Sequence, residues 1–321
     1  MKRVVVTGAS GFVGANLTRR LLQDGHEVHI LLRKPEENWR LREIARDCRI
    51  TYGDVSDREA VRSWICSVKP QSAFHLAAYG AYSYQKGLEQ MIATNVIGCA
   101  ALLDACIEAN VESFVQTGSS SEYGYKDHAA GEGELLEPNS HYAITKAAAT
   151  HYCSYTAKTS KIRAITARLY SVYGPWEEPT RLVPTLLVHC LRGDFPPLVS
   201  PATARDFVYV DDAVSALLAI VEARELPVGG AYNVSSGIQT SLAALVDEVR
   251  SLLKVAAEPQ WNVMPRRSWD TDVWVGDPAA IKRDAGWQAD VGLREGLLRM
   301  IDWFMQNPEW LSVYQSRIFP G

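Results

Sequence analysis

The chain has 321 residues, 47% hydrophobic and 22% charged, which is ordinary for a globular protein and leaves room for one large domain or two coupled ones. A formal net charge of −4 with no Lys/Arg-rich run argues against a nucleic-acid or membrane-surface partner. The apolar stretches, including the one around Ile97–Cys106, read as too short or too polar to cross a bilayer, and the sequence opens directly on a strand rather than on a signal peptide.

Residues 3–7, RVVVT, are a short β-branched run and predict the first strand. After GASGFVG, the segment ANLTRRLLQDGH repeats Leu17, Leu21 and Leu22 at helical spacing and stops at Gly25. EVHILL predicts a second strand and CRITYGDVSD holds a third. REAVRSWICSVKP reads as a helix ending before Pro70, and SAFHLAA as a fourth strand. Residues 87–110 read as one long helix, VESFVQTGSS as a fifth strand, HYAITKAAATHYCSYTAKT as a second long helix and IRAITARLY as a sixth strand. Strands that alternate with helices predict a parallel sheet covered on both faces, with right-handed crossovers.

Past Tyr170 the pattern loosens into Pro- and Gly-rich loops, SVYGPWEEPTRLVP and GDFPPLVSPATARD, which predict a second lobe. FVYVDDAVSALLAIVEA reads as a strand and helix returning to the sheet domain, and LREGLLRMIDWF as an amphipathic helix. The expected class is therefore α/β. A doubly wound parallel sheet takes residues 1–170 and 204–230, and a smaller mixed α/β lobe takes 171–203 and 231–321. Cys48, Cys66, Cys99, Cys106, Cys153 and Cys190 form no C-x-x-C pair and no metal-ligand spacing with His. They read as buried or half-buried thiols of a reducing cytoplasm, with no metal site.

Gly8, Gly11 and Gly14 form G-x-x-G-x-x-G between the first strand and the first helix. The three provide a tight turn, close backbone approach to a pyrophosphate and close helix–strand packing, and the following helix turns free N–H groups and a positive dipole end toward phosphates. A purely structural turn is the alternative; the position in a βαβ unit favours a dinucleotide. About 20 residues on, an acid would hold a ribose 2′-hydroxyl, whereas a cation accommodates a 2′-phosphate. Leu32 occupies the acid's place, followed at once by Arg33 and Lys34. A pair of cations matches a dianion, so the reading is preference for NADP(H), with NAD(H) possible. Asp54 in GDVSD is read as an acceptor for the adenine amino group, since Ser56 or Asp57 suits the helix cap better.

HYAITK sets Tyr142 and Lys146 one helical turn apart on one face. A phenol near pKa 10 is a poor acid–base at neutral pH, and a neighbouring ammonium is expected to lower that value. GSSSEYG, ending the preceding strand, supplies hydroxyls for the same substrate oxygen.

Taken with TGASGFVG, GDVSD, HLAA, TNVIG, RLYSVYGP, RDFVYVDDA and YNVSSG, these motifs resemble the extended short-chain dehydrogenase/reductases of the nucleotide-sugar epimerase, dehydratase and reductase group, over nearly the whole chain. The resemblance implies a Rossmann sheet. It implies catalysis by Ser119, Tyr142 as acid–base and Lys146 as its partner. Cofactor contacts are implied at Gly8, Gly11, Phe12, Val13 and Gly14, at Arg33, Lys34, Asp54 and Val55, at Leu76, Ala77 and Ala78, and at Asn95, Tyr142 and Lys146. It also implies a nucleotide-sugar substrate and a homodimer through the two long helices.

The group shares hydride exchange at sugar C4 and differs in the later steps. The 4,6-dehydratases place an acid directly after the catalytic hydroxyl, where this chain has Ser120 and Ser121, read instead as substrate contacts. Glu122 is one place further and would face the other way on an extended strand, which disfavours dehydration unless the strand end is irregular. An epimerase recycles tightly held NAD, whereas a ketoreductase consumes NADPH. Arg33 and Lys34 favour reduction of a nucleotide-bound 4-keto-6-deoxy sugar, with a 4-epimerase as the alternative. A non-sugar carbonyl reductase and a non-catalytic cofactor-binding scaffold are further readings.

For the substrate's diphosphate the resemblance implies Arg205 in TARDFVYVDD, which otherwise pairs with Asp206 or Asp211. It also implies Arg267 in MPRRSWD, beside Arg266, Trp269 and Asp270. Ser171 stands where the family often has Asn, and His141 where it usually has Pro; His141 reads as a solvent-facing helix start. Tyr79, Tyr82 and Tyr84 either line the sugar pocket or pack the lobe interface.

Overall fold

The structure, a computed structural model, describes residues 1–34, 38–160, 162–265 and 271–320. The first half alternates as expected: β1 (Arg3–Thr7), α1 (Phe12–Gln23), β2 (Glu27–Leu32), β3 (Arg49–Tyr52), α2 (Arg58–Val68) and β4 (Ser72–His75). The long helix is α3 (Leu88–Met91) and α4 (Gly98–Glu108) joined by a π-helical stretch, Ile92–Ile97. Then come β5 (Ser113–Ser119), α5 (His141–Thr159) and β6 (Arg163–Leu169). The second half adds β7 (Ser171–Tyr173), α6 (Leu182–Leu191), β8 (Ala204–Tyr209), α7 (Val210–Glu222), β9 (Ala231–Val234), β10 (Gln239–Ser241), α8 (Leu242–Leu253), α9 (Ala279–Ala285), α10 (Leu293–Gln306) and α11 (Pro308–Ile318).

Seven strands form one parallel sheet in the order β3-β2-β1-β4-β5-β6-β9. The order reverses at β1, where β2 lies on one side and β4 on the other, and ligand crevices of such sheets open at that point. Except for the edge strand β3, the strands are largely buried on both faces, so neighbours in sequence enter different cores. Val4 and Val6 pack with Ile30, Leu32, Phe74 and Val115 under α1 and α7, while Val5 packs with Leu31, Ala73 and Phe114 under α2, α4 and α5. Burial of each of these aromatic or large aliphatic side chains contributes roughly 1.5–3 kcal/mol.

Two strands pair differently from the sequence reading. β8 does not return to the large sheet; it pairs parallel with β7 and antiparallel with β10 in a separate three-stranded sheet. β9, expected in the lobe, closes the large sheet against β6, and α9 follows it with Ile281 and Trp287 in the same core. The chain passes between the sheets at Tyr170, through α7 and at Ser235–Ile238, and the hydrophobic pattern of a four-residue strand does not say which sheet it joins. The lobe core is built from α6, α8, α10 and α11 around Tyr173 and Tyr209.

Among the described residues, one helix, Leu88–Glu108, is long and apolar enough to cross a membrane by length and composition, unlike the sequence expectation; 61% of its apolar window is buried here, as in a core helix. All six cysteines are free thiols, five buried and Cys66 half-buried.

Candidate active site

The glycine turn has the shape a pyrophosphate needs. Gly8 has φ +74°, and a Cβ there would come within 2.5 Å of the Leu76–Ala77 backbone. A Cβ on Gly14 would sit 2.1 Å from the Gly8 carbonyl oxygen. Gly11 caps α1 without any side-chain hydrogen bond, so the first N–H groups, those of Phe12, Val13 and Gly14, are left for an anion. The residues therefore fit a dinucleotide on local geometry. Leu76 and Ala77 approach this turn from β4, and Ala78 is exposed beyond them. Val55 is buried against Gly98 of α4.

Leu32 is buried at the end of β2, and Arg33 and Lys34 are exposed directly after it. Asp54 uses one carboxylate oxygen to accept from the backbone N–H and hydroxyl of Ser56, at 2.8 and 2.6 Å, which shapes the loop. Asp57 is the α2 cap, accepting from the Ala60 N–H.

Ser119, Tyr142 and Lys146 come together at the carboxyl end of β5. Ser119 ends the strand and caps a single 3₁₀ turn, Ser120–Tyr123. Its hydroxyl accepts from the Ser121 N–H at 3.2 Å and lies 2.8 Å from the Ser121 hydroxyl. It also lies close enough to the Tyr142 phenol to favour its ionised form. Tyr142 is half-buried on the first turn of α5, and Lys146, one turn further, is 2% exposed. Burial pushes the phenol up to about 12, helped by the charge of Glu122 and opposed by the Ser119 hydroxyl and Arg181. Burial also lowers the Lys146 ammonium, opposed by Glu122. The expectation that Lys146 would lower the phenol is not met: desolvation dominates, and the charges acting most strongly on the phenol are those of Glu122 and Arg181. Burial likewise lowers His75 to about 3, with Lys146 adding to it; this keeps the ring neutral, and its Nδ1 lies 2.7 Å from the Thr7 hydroxyl.

Glu122 does not follow the strand alternation, because the chain leaves β5 at Ser119. Its carboxylate turns back and accepts from the Ser119 N–H (2.7 Å), from Thr150 (2.9 Å) and from Arg168 Nε (2.9 Å), wholly out of solvent. Arg168 Nη1 donates to the Tyr123 hydroxyl, which donates to Asn233. A buried polar network thereby holds the Ser120–Tyr123 turn from beneath. From above, the Trp274 indole N–H donates to the Ser120 hydroxyl at 3.1 Å, and Arg205 lies 5.5 Å over the Trp274 ring. Asp206 is engaged by Ser236, Gly237 and Gly276, and Asp211 by Arg299.

Asn95 sits in the π-helical stretch, a distortion frequent at functional sites. Its amide donates to the Tyr79 carbonyl and the Thr145 hydroxyl and accepts from the Tyr79 N–H. It thus brackets the Tyr79 loop to the catalytic helix. Tyr82 stacks on Tyr84 with centroids 5.5 Å apart, and the charge of Arg181 faces both Tyr82 and Tyr142. Ser171 is half-buried at the start of β7, and His141 is exposed. Arg266, Arg267, Trp269 and Asp270 lie outside the described residues. Among the described residues no group of three or more His, Cys, Asp or Glu is placed to hold a metal.

The loop Gly174–Arg181 contributes residues that sequence reading missed. Glu177 is buried, its Oε2 has no hydrogen-bond partner, and Arg181 Nε lies 3.9 Å from its Oε1. Burial raises its carboxyl from 4.5 to about 8; Arg181, the Gly174 N–H and Arg40 oppose this, and Glu178 adds to it. Tyr82, Tyr173 and Tyr314 are its other titratable neighbours. The folded chain thus holds a proton that the unfolded chain releases. The stability this gives is complete below the unfolded value and is lost as pH rises through about 8. Glu177→Gln is expected to keep its urea midpoint between about pH 5 and pH 8, where the wild type loses on the order of 3 kcal/mol through this group. Parallel pH profiles for the two proteins would refute that.

A model of the NAD dependent epimerase/dehydratase family matches residues 4–235. The trifunctional UDP-glucose 4,6-dehydratase/UDP-4-keto-6-deoxy-D-glucose 3,5-epimerase/UDP-4-keto-L-rhamnose-reductase of Arabidopsis thaliana is 24% identical over 99% of this chain, which spans about half (49%) of that relative's length. The structure is similar to that of UDP-glucose 4-epimerase with UDP-glucose from Thermotoga maritima, with TM-score 0.86 and 25% identity, covering 95% of this chain and 99% of that one. It is also similar to the UDP-glucose 4-epimerase complex with NAD from Thermus thermophilus, with TM-score 0.81 and 27% identity, covering 94% of this chain and 99% of that one.

Proposed function

The chain belongs to the NAD dependent epimerase/dehydratase family, and from that premise we propose that it reduces a nucleotide-activated 4-keto-6-deoxy sugar at C4 with NADPH. The observation that carries the reading is the end of β2, which pairs with the end of β1 at Thr7↔Leu31: a buried Leu32 in the acid's position, then Arg33 and Lys34 exposed directly after it. A bound dinucleotide supplies the hydride. The chain's own residues do the rest. Gly8, Gly11 and Gly14 admit the pyrophosphate. The Tyr142 phenol, protonated at neutral pH, gives its proton to the developing C4 alkoxide, and Ser119 hydrogen-bonds the same oxygen. Lys146 lies one helical turn behind the phenol, where it holds the nicotinamide ribose. Arg205, near the start of β8, the central strand of the small sheet, takes the substrate's diphosphate.

Dehydration finds little support, because Ser120 and Ser121 carry no acid and Glu122 is committed to Ser119, Thr150 and Arg168. The second reading, a 4-epimerase with tightly held NAD, is favoured by the likeness to two UDP-glucose 4-epimerases over most of the chain. Denaturing purified protein and weighing the released ligand separates the two: retained NAD supports the epimerase, and an empty site that takes up NADPH supports the reductase. Arg33→Ala is then expected to weaken NADPH by about tenfold or more and leave NADH within about twofold, the scale of one lost charge-assisted hydrogen bond. Equal losses for both dinucleotides would overturn the 2′-phosphate assignment.

The outward faces of α3, of the π-helical stretch after it and of α5 expose Leu88, Ile92, Ile97, Ile144 and Tyr155. That apolar surface supports pairing with a second copy of the chain through these helices, which a monomeric sedimentation coefficient would contradict.

A further inference from the structure

Arg40 stands between the two halves of the proposed site and touches both. It lies on a single 3₁₀ turn, Trp39–Leu41, and is 6% exposed. Its Nη1 donates to the Ser10 carbonyl inside the glycine turn at 3.3 Å. Its Nε donates to the Trp176 carbonyl at 2.6 Å, and its Nη2 pairs with Glu178 at 3.0 Å, both on the loop Gly174–Arg181. The guanidinium plane lies 4.2 Å over the Trp39 ring. The same loop is tied to α1 by Asn16, which donates to the Pro175 carbonyl, and by Arg19, which lies 4.1 Å over Trp176. At its far end the loop carries Arg181, whose charge reaches Tyr142. One buried side chain thus bonds the turn that receives a pyrophosphate and the loop that faces the reacting end of the sugar.

We propose that Arg40 is a positioning residue that couples the two ligands, so that dinucleotide on the glycine turn raises the affinity for the sugar nucleotide, and the reverse. The inference rests on the function proposed above. Its physical basis is the shared ordering of Ser10, Arg40, Trp176 and Glu178. Whichever ligand binds first fixes the turn or the loop, Arg40 transmits the restraint through its rigid fork, and the second ligand does not meet that ordering cost again. Linkage makes the effect equal in both directions. Lys at this position retains the charge but cannot reach three acceptors on two segments at once.

The test is binding rather than turnover. NADPH is titrated into the protein with and without saturating UDP, dTDP, GDP or CDP, and each nucleoside diphosphate is titrated with and without NADPH. For the diphosphate that binds most tightly, the wild type is expected to show reciprocal enhancement of about fivefold or more, the lower end of usual coupling. Arg40→Lys and Glu178→Ala, which removes only the loop-side partner, should each bind the two ligands singly and reduce the enhancement below about twofold. Both ligands binding the wild type independently would overturn the inference alone, as would undiminished enhancement in both variants. Failure of every dinucleotide or every nucleoside diphosphate to bind would overturn the proposed function and the inference with it.

Discussion

Tyr142→Phe is expected to slow turnover by about 10²–10⁴-fold while changing dinucleotide affinity by less than about twofold. Reduction of a ketone places negative charge on the former carbonyl oxygen, and that oxygen needs a proton as the charge develops. Tyr142 offers one from a favourable state. Burial raises the phenol to about 12, so it remains protonated across neutral pH, yet an alkoxide is more basic still and takes the proton readily. Ser119 acts on the phenol and opposes the rise that burial causes. Phe retains the ring on the first turn of α5 and removes only the hydroxyl, so the fold and the glycine turn are untouched. The readout is single-turnover oxidation of NADPH beside a melting curve and a dinucleotide titration. A variant within about threefold of the wild-type rate, with both controls unchanged, would remove Tyr142 from the chemistry.

What the sequence made legible was local. Alternating apolar strands and helices announced the sheet, the glycine spacing announced the tight turn between β1 and α1, and the four-residue interval from Tyr142 to Lys146 put a phenol and an ammonium one helical turn apart. Each of these signals lies within a single element. What escaped required contacts across the chain. Arg40 meets Trp176 and Glu178 more than 130 positions away, and Trp274 meets Ser120 at a separation of 154. The direction of Glu122 was missed for a different reason. A two-residue alternation holds only while a strand continues, and a capping box at Ser119 ends it and turns the carboxylate back beneath the site. The same limit applies to Tyr142: spacing places the ammonium near the phenol, but only burial decides whether attraction or desolvation governs the proton.

The second large effect lies below that turn. Arg168→Met is expected to destabilise the protein by about 3–5 kcal/mol, because it leaves the Glu122 carboxylate buried without its counter-charge. The carboxylate is fully enclosed, and Arg168 is only 3% exposed, so water cannot replace the guanidinium. Thr150 and the Ser119 N–H would remain as neutral partners, which moderate the loss without neutralising the charge. The Tyr123 hydroxyl would lose the donor that Arg168 supplies while keeping its own bond to Asn233 on β9. Turnover should fall too, since Ser119 keeps its place through the Glu122 carboxylate. The double variant Glu122→Gln/Arg168→Met separates charge from packing. With the Glu122–Arg168 pair removed together, it should be more stable than Arg168→Met alone, by about 1 kcal/mol or more, although it carries one more substitution and takes the Glu122 charge from Lys146. Urea denaturation of the two single variants, the double variant and the wild type completes the cycle. A loss below about 1 kcal/mol for Arg168→Met, or a double variant weaker than that single one, would mean that the catalytic turn is held by packing rather than by the buried pair.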